Sequence, residues 1–334
     1  MSMNTNLKDR VTIYEVAKSS GVSLATVSRV INKKSNVTEA TRKKVEQTIA
    51  RLGYKPSALA QALATNKTTN IGVVIPSANY VYISNMLNGL TEAARDKGFV
   101  LSLYVTSHNK EEATSMMNRL ITSHVDGAII FDDELDVEEA KIISSYQVPV
   151  VAVNNKIVSE KVASITFGYE HLLRNLLNDY FKNGDKKMYF LHVHNAGRLL
   201  DRIERSFINT HIEANRTYGI LSCDDSYSKT YVEFLDFFKT TRSGYFLAYR
   251  DSIAAAVINA ARDSGLRIPE DVEVLSLIGT KYASILRPMI SNMSIDMALV
   301  GRKAMAMLIE LMDGKLFDRH VKIESVFTKK ETTR

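Results

Sequence analysis

The chain has 334 residues, 45% of them hydrophobic and 24% charged, which suits two or three folded domains and excludes a disordered or fibrous chain. Cys223 is the single cysteine, so an intrachain disulfide and a multi-cysteine metal site are excluded. The formal charge is +6, yet residues 1–70 hold 12 Lys and Arg against 4 Asp and Glu, so the basicity belongs to one end and the remainder is slightly acidic. No run of about 20 apolar residues is present to span a bilayer. The opening MSMNTNLKDR lacks the apolar core of a secretory signal. A cytoplasmic protein with no membrane partner is expected.

In chain order, Thr12 and Glu15 form a capping-box start, and Val16 and Ala17 give the first helix an apolar face. Gly21 stands where a sharp turn needs positive φ. Ser23 can cap a second helix through Ile31, with Val27, Val30 and Ile31 inward at helical spacing. Leu24, Ala25, Ser28, Arg29 and Asn32 are left outside. A third helix follows, and Pro56 opens a short helix over Ser57–Ala64 with Leu59 and Leu63 four apart. So short a helix is not stable alone in water. It needs DNA, a partner helix or the body of the protein. A helix-turn-helix in a basic segment is the electrostatic footprint of DNA binding.

Residues 64–70, polar and without periodicity, read as a linker. Apolar runs then begin at Ile71, Phe99, Gly127 and Pro149, alternating with amphipathic stretches over Tyr82–Lys97, Glu111–Ser123 and Val137–Tyr146. The pattern restarts with runs at Ala163, Met188, Tyr218, Gly244 and Val272. Helical stretches lie near Tyr169–Asn183, Leu199–Asn215, Ser226–Thr240 and Asp251–Asp263. The fold class is α/β: two doubly wound parallel sheets, with a ligand cleft beyond the carboxyl ends of their strands.

The runs IYEVAKSSGVSLATVSRVIN and NVTEATRKKVEQTIARLGYKPSALAQALATNKTTNIGVVIP resemble the lactose-repressor (LacI/GalR) family, closest to its catabolite-control branch. The likeness is dense over residues 11–76 and looser beyond. It implies a helix-turn-helix domain (1–56), a hinge helix and linker (57–70), and a core like periplasmic binding proteins. In that core one lobe takes 71–160 and 290–319, the other 161–289 and 320–334. The segment Met297–Asp313 is expected to cross back between lobes. The implied function is a transcriptional repressor of carbohydrate-related genes, acting as a homodimer on a pseudo-palindromic operator.

The resemblance carries base reading to Leu24, Ala25, Thr26, Ser28 and Arg29, although the branch usually has Met-Ala where this chain has Leu24-Ala25. Arg29 suits guanine, with a phosphate clamp as its alternative. Thr12, Tyr14, Ser23, Asn32, Asn36 and Tyr54 resemble the phosphate-positioning residues. Leu63 takes the place of a minor-groove wedge, with Leu59 and Ala60 in the helix–helix contact. Gln61-Ala62 departs from the usual Arg-Gly.

The implied effector set is Tyr80, Tyr82, Arg202 and Asp251. The two tyrosines are equally readable as core, and Asp251 as a helix cap. Ser77 replaces an expected Asp, and Ile278 replaces the carboxylate of a Gly-Phe-Asp-Asn turn. Two acceptors for sugar hydroxyls are therefore missing. Control by a small molecule or by phosphorylated HPr both remain open.

Phosphate-cradle and nucleophile-elbow motifs are absent, so no enzyme and no cofactor are expected. His192 and His194 share a strand face, but no further His or Cys completes a metal site, so no metal is expected. The acidic groups Asp132-Asp133-Glu134 and Asp224-Asp225 read as solvated loops. A solute-binding protein of the same fold is the competing class. The N-terminal reader argues against it.

Overall fold

The computed structural model describes residues 11–56, 67–78, 80–106, 110–131, 145, 147–194 and 196–334. They fall into two units divided between Thr68 and Thr69. The expected hinge helix, including Leu59, Ala60 and Leu63, lies outside the described residues. So does nearly all of the helix expected over Val137–Tyr146.

The first unit holds α1 (Ile13–Ser20), α2 (Leu24–Ile31) and α3 (Glu39–Leu52). Thr12 and Glu15 make the reciprocal capping box, and Gly21 ends α1 in the left-handed region at φ 63°. Ser23 caps α2 by accepting from Thr26 N at 3.2 Å, and Thr38 caps α3 in the same way. Val16, Val27, Val30 and Val45 are buried together where the helices meet. Arg51 on α3 donates to Ser19 Oγ on α1 at 2.5 Å.

The second unit carries two six-stranded sheets. The first is built from β1 (Asn70–Ile75), β2 (Val100–Val105), β3 (Gly127–Ile130), β4 (Val150–Val153) and β5 (Val162–Gly168). Its helices are α4 (Val81–Asp96) and α5 (Lys110–Thr122). The chain goes on through α6 (Tyr169–Asn183), β6 (Met188–Val193), α7 (Arg198–Glu213) and β7 (Tyr218–Cys223). Next come α8 (Tyr227–Thr240), β8 (Gly244–Arg250), α9 (Asp251–Asp263), β9 (Val272–Ile278) and α10 (Tyr282–Ile285). It ends with β10 (Ser291–Ser294), α11 (Met297–Met312), β11 (His320–Glu324) and β12 (Val326–Thr328).

The first sheet runs β11-β5-β4-β3-β1-β2 and the second β12-β10-β9-β8-β6-β7. All described pairings are parallel except β10 with β12. This corrects the lobe boundaries drawn from the sequence. Residues 162–168 and 320–324 belong to the first sheet, and 291–294 to the second. An interior strand covered on both faces reads as an unbroken apolar run whichever sheet it joins. The restart at Ala163 therefore does not mark the crossing, which falls after Gly168.

Two crossings are tied together there, with Ser325 Oγ donating to Gly168 O at 2.8 Å. A side chain at Gly168 would collide with the Glu324 carboxylate. The helix α11 packs on α4 and on the first sheet. Gly89 and Gly301 let those two helix backbones approach, since a Cβ on either would strike the other helix's backbone.

Among the described residues no helix is long and apolar enough to cross a membrane.

Candidate functional site

The helix-turn-helix leaves most of the residues expected to contact DNA open to solvent. Tyr14 is 70% exposed. Thr12, Ser23, Leu24, Ala25, Arg29, Asn32 and Asn36 are exposed, while Thr26, Ser28 and Tyr54 are half-buried. The cap orders the start of α2: Ser23 Oγ lies 2.9 Å from Thr26 Oγ1, and Asn32 Nδ2 donates to Ser28 Oγ at 3.3 Å. Tyr54 packs on the valine core, so any outward contact it makes comes from its rim.

In the second unit the strand ends of both sheets surround a cavity of about 40 Å³. Tyr80, Tyr82, Phe131, Tyr249, Arg250 and Ile278 are among its walls. That is room for a few water molecules, far below the several hundred Å³ of ordinary ligand pockets. No carboxylate lines it among the described residues.

The space is taken by the chain itself. Tyr80 and Tyr82 stack at 5.6 Å between ring centroids, and Tyr82 meets Phe131 edge-on at 6.1 Å. The Arg250 guanidinium lies 4.1 Å from the centroid of Tyr80 and 4.7 Å from that of Tyr249, while its Nη2 bonds Asp225 at 2.7 Å. Burial opposes the charge on Arg250, but the surrounding tyrosines and Asp225 outweigh it and raise its pKa. Ile278, 5% exposed, closes a wall where a carboxylate was expected.

Of the four expected effector residues, Tyr80 and Tyr82 line the cavity. Arg202 stands one layer behind, donating to Glu170 at 3.1 Å and to Asn154 Oδ1 at 3.0 Å. Asp251 is 3% exposed and is not on the wall. Its Oδ2 accepts from both the N–H and the hydroxyl of Thr280, each at 2.7 Å, so it ties α9 to the turn after β9.

Arg250 is the residue that the sequence reading passed over. It ends the run GYFLAYR at the carboxyl end of a parallel strand, where ligand sites form, and its position was the available signal. Asp225, read as solvated, is its partner.

His192 and His194 lie 5.2 Å apart between ring centroids. His192 bonds Glu204 at 2.6 Å and His194 meets Ser222 at 2.7 Å. Among the described residues no group of three or more side chains is placed to hold a metal ion. Cys223 is buried, and its thiol is pushed up to about 12, chiefly by burial.

Comparison with known proteins joins these halves. Residues 12–57 match the family model of bacterial regulatory proteins of the lacI family, and residues 219–333 match a periplasmic binding protein-like domain. Catabolite control protein A of Priestia megaterium is 29% identical over 318 residues, covering 93% of this chain and 95% of that protein. The HTH-type transcriptional regulator pepR1 of Lactobacillus delbrueckii subsp. lactis is 28% identical, covering 98% of each. A lac repressor dimer solved with operator and an anti-inducer superposes with a TM-score of 0.86 at 24% identity, over 97% of this chain and 99% of that one. That last likeness is one of fold.

The architecture is that of a DNA-reading module joined to a binding-protein core. The N-terminal domain is a LacI-family DNA-binding domain, and the relatives that match nearly the whole chain are DNA-binding transcriptional regulators.

Proposed function

We propose that the chain represses transcription as a homodimer on a pseudo-palindromic operator, with the two-lobed core as its controlling element. The exposed N-terminal half of α2, backed by a basic segment, is the observation that carries this reading. One such module covers a half-site, so a two-fold operator needs two copies.

Arg29 then reads a base edge, with Leu24, Ala25, Thr26 and Ser28 beside it. Thr12, Tyr14, Ser23, Asn32, Asn36 and Tyr54 hold phosphates. Leu59 and Ala60 form the hinge contact, and Leu63 is the minor-groove wedge. Relatives named for catabolite control support carbohydrate-related target genes. The protein works in the cytoplasm and catalyses no reaction. The filled cavity favours a second form of control, in which a partner protein such as phosphorylated HPr replaces a free sugar.

Footprinting on genomic fragments tests the proposal. The expected result is a two-fold symmetric protected site whose half-sites lie about one helical turn apart. Protection without symmetry would overturn the dimer, and no protection would overturn the reading as a whole.

A further inference from the structure

Two arginines span the cleft, and they are built alike. Arg250 ends β8 in the second lobe, where Asp225 holds its Nη2 at 2.7 Å. Its guanidinium reaches the Tyr80 ring, 4.1 Å away, just before α4 of the first lobe. Arg202 on α7 is held at 3.1 Å by Glu170 of α6, which packs on α7 in the second lobe. Its Nη2 reaches Asn154, which follows β4 of the first lobe, at 3.0 Å. In each case a carboxylate of one lobe orients a planar cation, and the cation bonds the other lobe.

We propose that Arg250 and Arg202 are an interlobe latch: the chain occupies its own effector cleft, and an effector acts by displacing Arg250 from Tyr80. This rests on the reading of the core as the controlling element.

Three observations support it. The cavity that remains, about 40 Å³, does not admit a ligand while Arg250 stays on Tyr80. The guanidinium is a flat group on an aromatic face, and its side chain is 16% exposed, which is where a cation–π contact is strongest. Finally, the latched state leaves the buried Arg250 Nε–H without an acceptor among the described residues. A buried donor without an acceptor costs stability, so the latched state carries a penalty that release relieves.

Hydrogen exchange on the full chain tests the latch, because amide exchange reads local opening directly. Tyr80→Leu keeps apolar bulk and removes the ring. It is expected to speed exchange about tenfold on both sides of the cleft, over residues 80–86 in the first lobe and 196–200 and 279–282 in the second. Tyr80→Phe keeps the ring face and is expected to exchange as the parent does. Arg250→Lys keeps the charge but loses the planar face, and is expected to match Tyr80→Leu. Unchanged exchange in Tyr80→Leu, or a change confined to the substituted lobe, would overturn the latch. Failure of the parent chain to bind any operator would instead overturn the DNA-binding reading and leave the exchange result standing.

Discussion

The outer face of α2 and the wall of the cleft carry similar chemistry in opposite circumstances. Arg29 and Asn32 are exposed on a short capped helix. Arg250 and Arg202 are held against carboxylates and against groups of the facing lobe. A solvated guanidinium keeps its donors for a partner that arrives. One already set into a wall must surrender contacts before it gains others. On the reading proposed above, the first face is free to meet a polyanion, and the second holds two lobes together.

Salt separates the two faces most strongly. Operator affinity is expected to fall about 10³- to 10⁵-fold between 50 and 200 mM salt if about six to ten phosphates are contacted. Exchange in the cleft should barely move, because buried pairs are little screened. A flat salt dependence of operator binding in a gel-shift titration would break the contrast.

The next largest effect lies in the body of the second unit. Lys186 and Glu273 form an ion pair at 2.7 Å with side chains 5% and 2% exposed, and Glu273 also accepts from Arg334 N at 2.7 Å. Lys186→Ala leaves that carboxylate buried without its countercharge, at an expected cost of about 3–5 kcal/mol in urea unfolding. Operator contacts made by α2 should be unaffected per folded molecule.

Arg29→Ala is expected to cost about 1–3 kcal/mol of operator affinity and to relax preference at one base position per half-site. A loss uniform across operator variants would make Arg29 a phosphate contact.

A smaller effect is set by pH. His211 is fully buried among Phe181, Phe207 and Tyr218, with Nδ1 donating to Phe207 O at 2.8 Å. Burial pushes its pKa down, so the folded chain holds it neutral while the unfolded chain takes up a proton near pH 6.5. Its contribution is complete above that pH and is lost as pH falls below it. Thermal melts from pH 7.5 to 5.5 should show this decline in the parent and a shallower one in His211→Phe.

The smallest effect is expected from free neutral hexoses and disaccharides. With Ile278 in the wall and Arg250 on Tyr80, they should bind at millimolar dissociation constants or weaker, about −4 kcal/mol. A micromolar sugar in calorimetry would mean that the cleft opens far more readily than its contacts imply.

Much of this was legible in the chain. The Thr12–Glu15 capping box, Gly21 and the Ser23 cap are short-range devices, and each forms where its spacing says it should. The strands buried on both faces were visible as apolar runs. Their assignment to one sheet or the other was not, because burial on both faces erases the signal that would distinguish partners. Tyr80 and Tyr82 stood out as aromatics at a helix entry. Arg250 did not, because a charged residue closing an apolar run looks like a strand end meeting water.

The sequence by itself determined the helix-turn-helix, its outward face and the succession of strands and helices, since capping and periodicity act between residues a few positions apart. Only the tertiary structure decided that residues 162–168 join the first sheet, that Asp251 turns to Thr280, and that Arg250 lies on Tyr80. Those contacts join segments distant in sequence, and no local preference encodes them. They exist because the two sheets bring the carboxyl ends of their strands together around one cavity.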